Sequence, residues 1–146
     1  LRIGWLVVRD AVLRQRLMAF KDYTTICNSA PSEVLALMAL RAADQVLDRS
    51  LRIVTANVTA FAAACARWPG VLSMVTPQAG SVAFAHLDVA TPIAQVAHEM
   101  AAQDGVLILP ADVYGYAGNY FRVGFGKADF ATGLARFEAA LPRYTR

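Results

Sequence analysis

The stretch Asn119-Tyr120-Phe121-Arg122-Val123-Gly124-Phe125-Gly126 decides how the rest of the chain is read. Aromatic and β-branched residues alternate along it with other types, which predicts a short strand. A strand sends successive side chains to opposite faces, so Phe121, Val123 and Phe125 share the face expected to be buried. Tyr120, Arg122, Gly124 and Gly126 share the other face. One permanent positive charge there stands beside two missing side chains, which leaves room for a flat or anionic group next to Arg122. The same pattern also describes a strand with a solvated arginine and glycines at a bend.

The elements on either side supply this strand with partners. After it, Asp129 to Leu141 reads as a helix with Asp129 as N-cap and Phe130, Leu134, Phe137 and Leu141 as its apolar stripe. Before it, Pro110 to Gly118 is a loop carrying Asp112, Tyr114 and Tyr116, and Val106 to Leu109 reads as a buried strand. Thr91 is placed to cap a helix with Pro92 at its first position. That helix runs to about Gln103, has Ile93, Val96, Ala97 and Met100 inside, and ends at Asp104-Gly105. Val71 to Val75 and Ser81 to His86 flank the turn Thr76 to Gly80 and predict a hairpin. The order strand, strand, helix, strand, strand, helix predicts a small antiparallel sheet covered by helices on one face.

Toward the N-terminus, Leu51, Val54, Val58, Phe61, Cys65 and Trp68 repeat at spacings of three and four. They predict a helix of about 18 residues from near Ser50, roughly 27 Å long, stopped by Pro69-Gly70. Pro31-Ser32-Glu33 marks an earlier helix start, with Glu33 near the positive end of the dipole. Leu35, Met38, Ala42 and Gln45 follow one face, with Val34, Leu37 and Leu40 beside them, so this helix is expected to be largely buried. Lys21 to Ala30 reads as a loop, and Ala11 to Phe20 as a helix. Leu1 to Val8 reads as a strand buried on both faces. The chain opens on Leu with no turn or leader, which suggests a start in the middle of a domain.

Composition narrows the function classes. The 146 residues are 57% hydrophobic and 17% charged, enough for a real core. No apolar run reaches the ~18 residues of a membrane-spanning helix. The net charge of +3 is scattered, without a basic block, which argues against nucleic acid. Cys27 and Cys65 have no metal-type or redox spacing, so a reducing, cytoplasmic location is expected. His86 and His98 read as structural or solvated, and no metal site is expected.

Two motifs now resemble a known family. Leu1-Arg2-Ile3-Gly4-Trp5 looks like the G-x-R-x-G-[YW] stretch of class I/II aminotransferases, the fold-type I pyridoxal-phosphate enzymes. Arg122-Val123-Gly124-Phe125-Gly126 fits the family's C-terminal R-[LIV]-[SG]-F-[AG] motif at every position. The elements between follow the family's order, so the resemblance covers the whole chain. It implies an α/β architecture joined to α+β. Residues 1–50 would be the last strand and helices of the large cofactor-binding domain. Residues 51–146 would be the long linking helix and a small antiparallel-sheet C-terminal domain.

By the same resemblance, Arg2 binds the phosphate of pyridoxal phosphate and Arg122 the α-carboxylate of an amino-acid substrate. Paired, charged hydrogen bonds suit a guanidinium to both tasks. The turn Gln78-Ala79-Gly80 corresponds to a loop near the substrate. Tyr23 to Asn28 corresponds to a segment that approaches the neighbouring subunit's site in a homodimer. One departure is large: the family's Schiff-base lysine, in an S-x-x-K segment, is absent. Lys21 and Lys127 do not stand in that context, so no residue here is assigned a catalytic role, and such a segment is expected shortly upstream of Leu1. The implied activity of the complete enzyme is exchange of an amino group between an amino acid and a 2-oxo acid. Two alternatives stand beside it. One is a lyase, decarboxylase or cyclase on the same scaffold. The other is a stand-alone, non-catalytic α+β module.

Overall fold

A computed structural model describes residues 2–145. The chain divides into two compact units, Leu1–Asp48 and Arg49–Arg146. In the first, residues 2–10 have no regular secondary structure. Helix α1 spans Ala11–Thr24, and the Asp10 side chain caps it by accepting from the Leu13 amide at 2.9 Å. Helix α2 spans Ala30–Arg41 with Pro31 in its first turn. Helix α3 spans Ala43–Arg67, and its residues through Asp48 belong to this unit.

Two expectations fail in the first unit. Leu1 lies outside the described residues, and Arg2 to Val8 form no strand: Trp5, Leu6 and Val7 are exposed. A strand needs a ladder partner, and no strand occurs among the described residues of this unit. Helix α2, expected inside, has no buried residue, and Leu35 and Met38 are exposed. Its apolar stripe is real, but no sheet among the described residues of this unit covers it. Three boundaries also move. Helix α1 continues four residues past Phe20 to Thr24, α2 stops at Arg41, and α3 begins at Ala43 rather than near Ser50. No Gly or Pro marks the break between α2 and α3.

The second unit has its own core. Strands β1 (Leu72–Met74), β2 (Val82–Leu87), β3 (Leu109–Pro110) and β4 (Tyr120–Gly124) form one antiparallel sheet in the order β1-β2-β4-β3. The β1–β2 pair is the expected hairpin. Phe121, Val123 and Phe125 are buried, as the alternation predicts, and the fully buried Phe121 and Phe125 are among the largest core side chains. Each such phenylalanine contributes roughly 1.5–3 kcal/mol through burial. Against this face lie Phe61 and Ala64 of α3, Val96 and Met100 of α4 (Ile93–Asp104), and Leu134 and Phe137 of α5 (Phe130–Ala140). All four residues expected on the inner stripe of α4 are buried. Along the α3 seam Phe61 is buried, and Val54, Val58, Cys65 and Trp68 pack on the core, but Leu51 is exposed.

The segment before β4 differs from expectation. Val106 and Ile108 are buried while Leu107 points to solvent, and only Leu109 and Pro110 pair with β4. This is an edge strand with one wet face, where proline is tolerated, rather than a continuous buried run. The start of α4 also differs. Pro92 is the N-cap, and Thr91 supplies no capping bond. The Asn119 side chain does so from a distance: Oδ1 accepts from the Ile93 amide at 2.9 Å, and Nδ2 donates to the Val89 carbonyl at 2.7 Å. Asp129 precedes α5 as expected but makes no side-chain capping bond.

Candidate functional site

The register of the sheet builds the face around Arg122. Phe84 of β2 and Leu109 of β3 lie directly opposite Arg122, so all three share the face away from the helices. Val82 lies opposite Gly124, and His86 opposite Tyr120. Arg122 is exposed and is in neither of the two ion pairs among the described residues, Arg67–Glu138 and Arg143–Asp104. Its Nη1 donates instead to the Tyr114 hydroxyl oxygen at 2.8 Å. No Cβ at Gly124 would meet another heavy atom within 4 Å, so the backbone beside the guanidinium is open.

Aromatic rings hold this face together. Tyr114 sits edge-on to Phe84 with centroids 5.8 Å apart. Phe84 stacks on Tyr116 at 6.0 Å, and Tyr116 meets Tyr120 edge-on at 5.1 Å. Tyr120 packs on His86 at 4.6 Å. Such pairs add roughly 0.5–1.5 kcal/mol beyond area burial. Tyr114 ends a 3-10 turn, Ala111–Tyr114, anchored by the fully buried Ala111 and closed by Gly115 at φ 70°. That positive φ is accessible to glycine without a steric penalty.

The far end of β4 is fastened from α3. Asn57, the one buried polar residue among those described, donates through Nδ2 to the carbonyls of Phe125 at 2.8 Å and Lys127 at 2.7 Å. Phe125 also donates its amide to the Ser81 carbonyl at 2.8 Å. An open groove of about 860 Å³ beside the 105–109 segment and α5 counts Phe61, Phe121, Arg122 and Phe137 among its lining residues.

Arg2 lies in the first unit and Arg122 in the second. Arg2 is exposed in an irregular segment and makes no salt bridge among the described residues. A guanidinium without a carboxylate partner is chemically compatible with a phosphate. Lys21 donates to Thr25 Oγ1 and Asn28 Oδ1, each at 3.1 Å, and is engaged locally. His86 belongs to the aromatic cluster described above. No cluster of metal-ligating side chains occurs among the described residues. Sequence reasoning singled out Tyr114 and Tyr116 only as loop residues and missed Asn57 and Phe84 as supports of the site. Phe84 could have been found from the alternation within 81–86. Asn57 carried no local signal beyond a polar residue beside the α3 seam.

The sequence profile of the family described as aminotransferase class I and II matches residues 1–135. The chain belongs to that family. Capreomycidine synthase of Streptomyces vinaceus is 28% identical over 148 residues, covering 100% of this chain and 38% of that protein. A PLP-dependent aminotransferase from Streptococcus suis 89-1591 superposes with a TM-score of 0.83 at 23% identity, over 94% of this chain and 37% of that one. The PLP-dependent cyclase OrfR gives a TM-score of 0.79 at 23% identity, over 90% of this chain and 37% of that one. The chain therefore spans less than two-fifths of the length of these relatives, and its mixed helix and antiparallel-sheet architecture is the family's.

Proposed function

We propose that this chain supplies the carboxylate-binding part of a pyridoxal-phosphate-dependent aminotransferase, which moves an amino group between an amino acid and a 2-oxo acid. One observation carries the reading: Arg122 is exposed, unpaired with any carboxylate among the described residues, and set on a face of aromatic rings and glycine. A guanidinium so placed can bind a carboxylate by two parallel N–H donors while a flat group lies over Gly124. Arg2 would hold the cofactor phosphate. Pyridoxal phosphate, when bound, supplies the electron sink for chemistry at the amino acid's α-carbon. The chain's own part is to fix the substrate's acid end and thereby orient the α-carbon. With no lysine in a Schiff-base context, these 146 residues alone would be inactive.

A second reading has a specific observation behind it. Two of the relatives above are described as a synthase of capreomycidine and as a cyclase. An arginine that holds an α-carboxylate would serve a cyclising enzyme equally. The full-length protein, assayed with a panel of amino acids with and without 2-oxo acids, separates the two. Turnover that depends on the 2-oxo acid supports transfer, and turnover without an acceptor supports cyclisation or elimination. In either case Arg122→Ala should raise the donor KM on the order of 100-fold while the bound cofactor's absorbance persists. An unchanged KM would defeat the assignment of Arg122.

The complete enzyme would be a homodimer, with Tyr23 to Asn28 near the neighbouring subunit's site. No helix among the described residues is long and apolar enough to cross a membrane. Cys27 and Cys65 are free thiols, which suits a cytoplasmic setting.

A further inference from the structure

We infer that Tyr114 is the second arm of the carboxylate clamp, its phenol O–H donating to the same substrate carboxylate that Arg122 binds. This rests on the assignment of Arg122 made above. A guanidinium has only donors, so in the 2.8 Å contact between Arg122 Nη1 and the Tyr114 oxygen the arginine donates and the phenol accepts. The phenol's own proton is not used in that bond. Among the described residues the Tyr114 hydroxyl donates to no acceptor, and its side chain is exposed. The proton therefore faces solvent beside an unpaired positive charge, which is where an anion would settle. Accepting from a cation also polarises the O–H and strengthens it as a donor.

The scaffold keeps the hydroxyl there. The Tyr114 ring stands at 83° to Phe84, and Phe84 is the cross-strand partner of Arg122. Ring, cross-strand neighbour and guanidinium thus form one three-membered unit on the open face. The backbone beneath Tyr114 is closed by the Gly115 amide donating to the Asp112 carbonyl at 2.8 Å. A carboxylate can then take two parallel N–H donors from the guanidinium while one of its oxygens, through its second lone pair, also accepts from the phenol, so the pair discriminates for a planar, two-oxygen acid.

The test uses the full-length holoenzyme and its best amino donor from the panel. The unreactive 2-methyl analogue of that donor is titrated by the change in cofactor absorbance, with the corresponding amine lacking the carboxylate as control. Tyr114→Phe keeps the ring on Phe84 and should weaken the analogue about tenfold, as expected for one hydrogen bond to a charged group. It should leave binding of the amine unchanged. In an Arg122→Ala background Tyr114→Phe should still weaken the analogue several-fold, because the phenol contacts the ligand itself. If Arg122→Ala weakens the analogue and Tyr114→Phe does not, the clamp has one arm and the inference fails. If the Tyr114→Phe effect vanishes in the Arg122→Ala background, Tyr114 only positions Arg122, and the inference fails equally. If Arg122→Ala itself has no effect, the failure belongs to the assignment of Arg122.

Discussion

Asn57 offers a sharp test of how the Arg122 strand is held. It is 9% exposed, and its amide nitrogen donates to two carbonyls, Phe125 at 2.8 Å and Lys127 at 2.7 Å. Those carbonyls follow β4 directly, so one side chain on α3 fixes where the strand ends. Asn57→Ala removes both donors and leaves the buried Phe125 carbonyl without this partner. A net hydrogen bond contributes about 1 kcal/mol, and an orphaned buried polar group costs about 1–3 kcal/mol. The two together predict a loss of roughly 2–4 kcal/mol, a large share of a typical domain's stability. Asn57→Asp should cost at least as much, because a carboxylate would face two carbonyl oxygens with no proton to give. Asn57→Leu should not rescue the loss, since it fills the volume without supplying a donor. Urea denaturation of the three variants, followed by far-UV circular dichroism, reads these values as shifts in midpoint at constant slope. In the full-length enzyme Asn57→Ala should also raise the donor KM, by less than Arg122→Ala does. A loss below about 0.5 kcal/mol for Asn57→Ala would refute the reasoning, and so would a stabilised Asn57→Leu.

Two further predictions concern the surface. Ile26 is the only non-glycine residue with positive φ among those described, at φ 57°, and it is 74% exposed. A left-handed conformation costs a residue with a Cβ roughly 1–2 kcal/mol, and glycine's extra unfolded entropy offsets about half. Ile26→Gly should therefore raise stability by roughly 0.5–1 kcal/mol in thermal melts. If Tyr23 to Asn28 meets a second subunit, the same variant should weaken the dimer in sedimentation runs; lower stability in melts would sink the strain argument. Glu138 accepts from Arg67 Nε at 2.9 Å and from Trp68 Nε1 at 3.1 Å. The Arg67 guanidinium, helped by the indole and opposed by partial burial, holds its carboxyl below the ordinary value of 4.5. The stabilisation is thus complete above about pH 4.5 and lost as pH falls through the lowered value. Glu138→Gln should lower the Tm at pH 7, and the gap to the parent protein should close as the pH falls below 4.5 and the carboxylate takes up its proton. A gap independent of pH would show that Glu138 acts by packing alone.

What the sequence disclosed, and what it hid, follows from the range over which each interaction acts. The alternation in Phe121, Val123 and Phe125 and the stripe Ile93, Val96, Ala97, Met100 are short-range patterns, and both were legible because a period reports directly which side of an element is apolar. The same property misled for α2 and for Arg2 to Val8. Periodicity and apolar runs say that a face wants cover, not that cover exists, and the described residues of the first unit contain no sheet to provide it. The capping of α4 was hidden for another reason: Thr91 stands where a cap belongs, yet Asn119, 26 residues beyond Ile93, supplies the acceptor. Asn57 reaches 68 residues along the chain to Phe125. The candidate site divides in the same way. Arg122 and its flanking glycines were visible because charge and missing side chains are local facts. Its link to Tyr114 needed the 3-10 turn that folds the loop back over Phe84, and no spacing in the sequence encodes that return. A carboxylate site read from one arginine is therefore only half a site, and the other half comes from whichever loop the fold brings over the same sheet face.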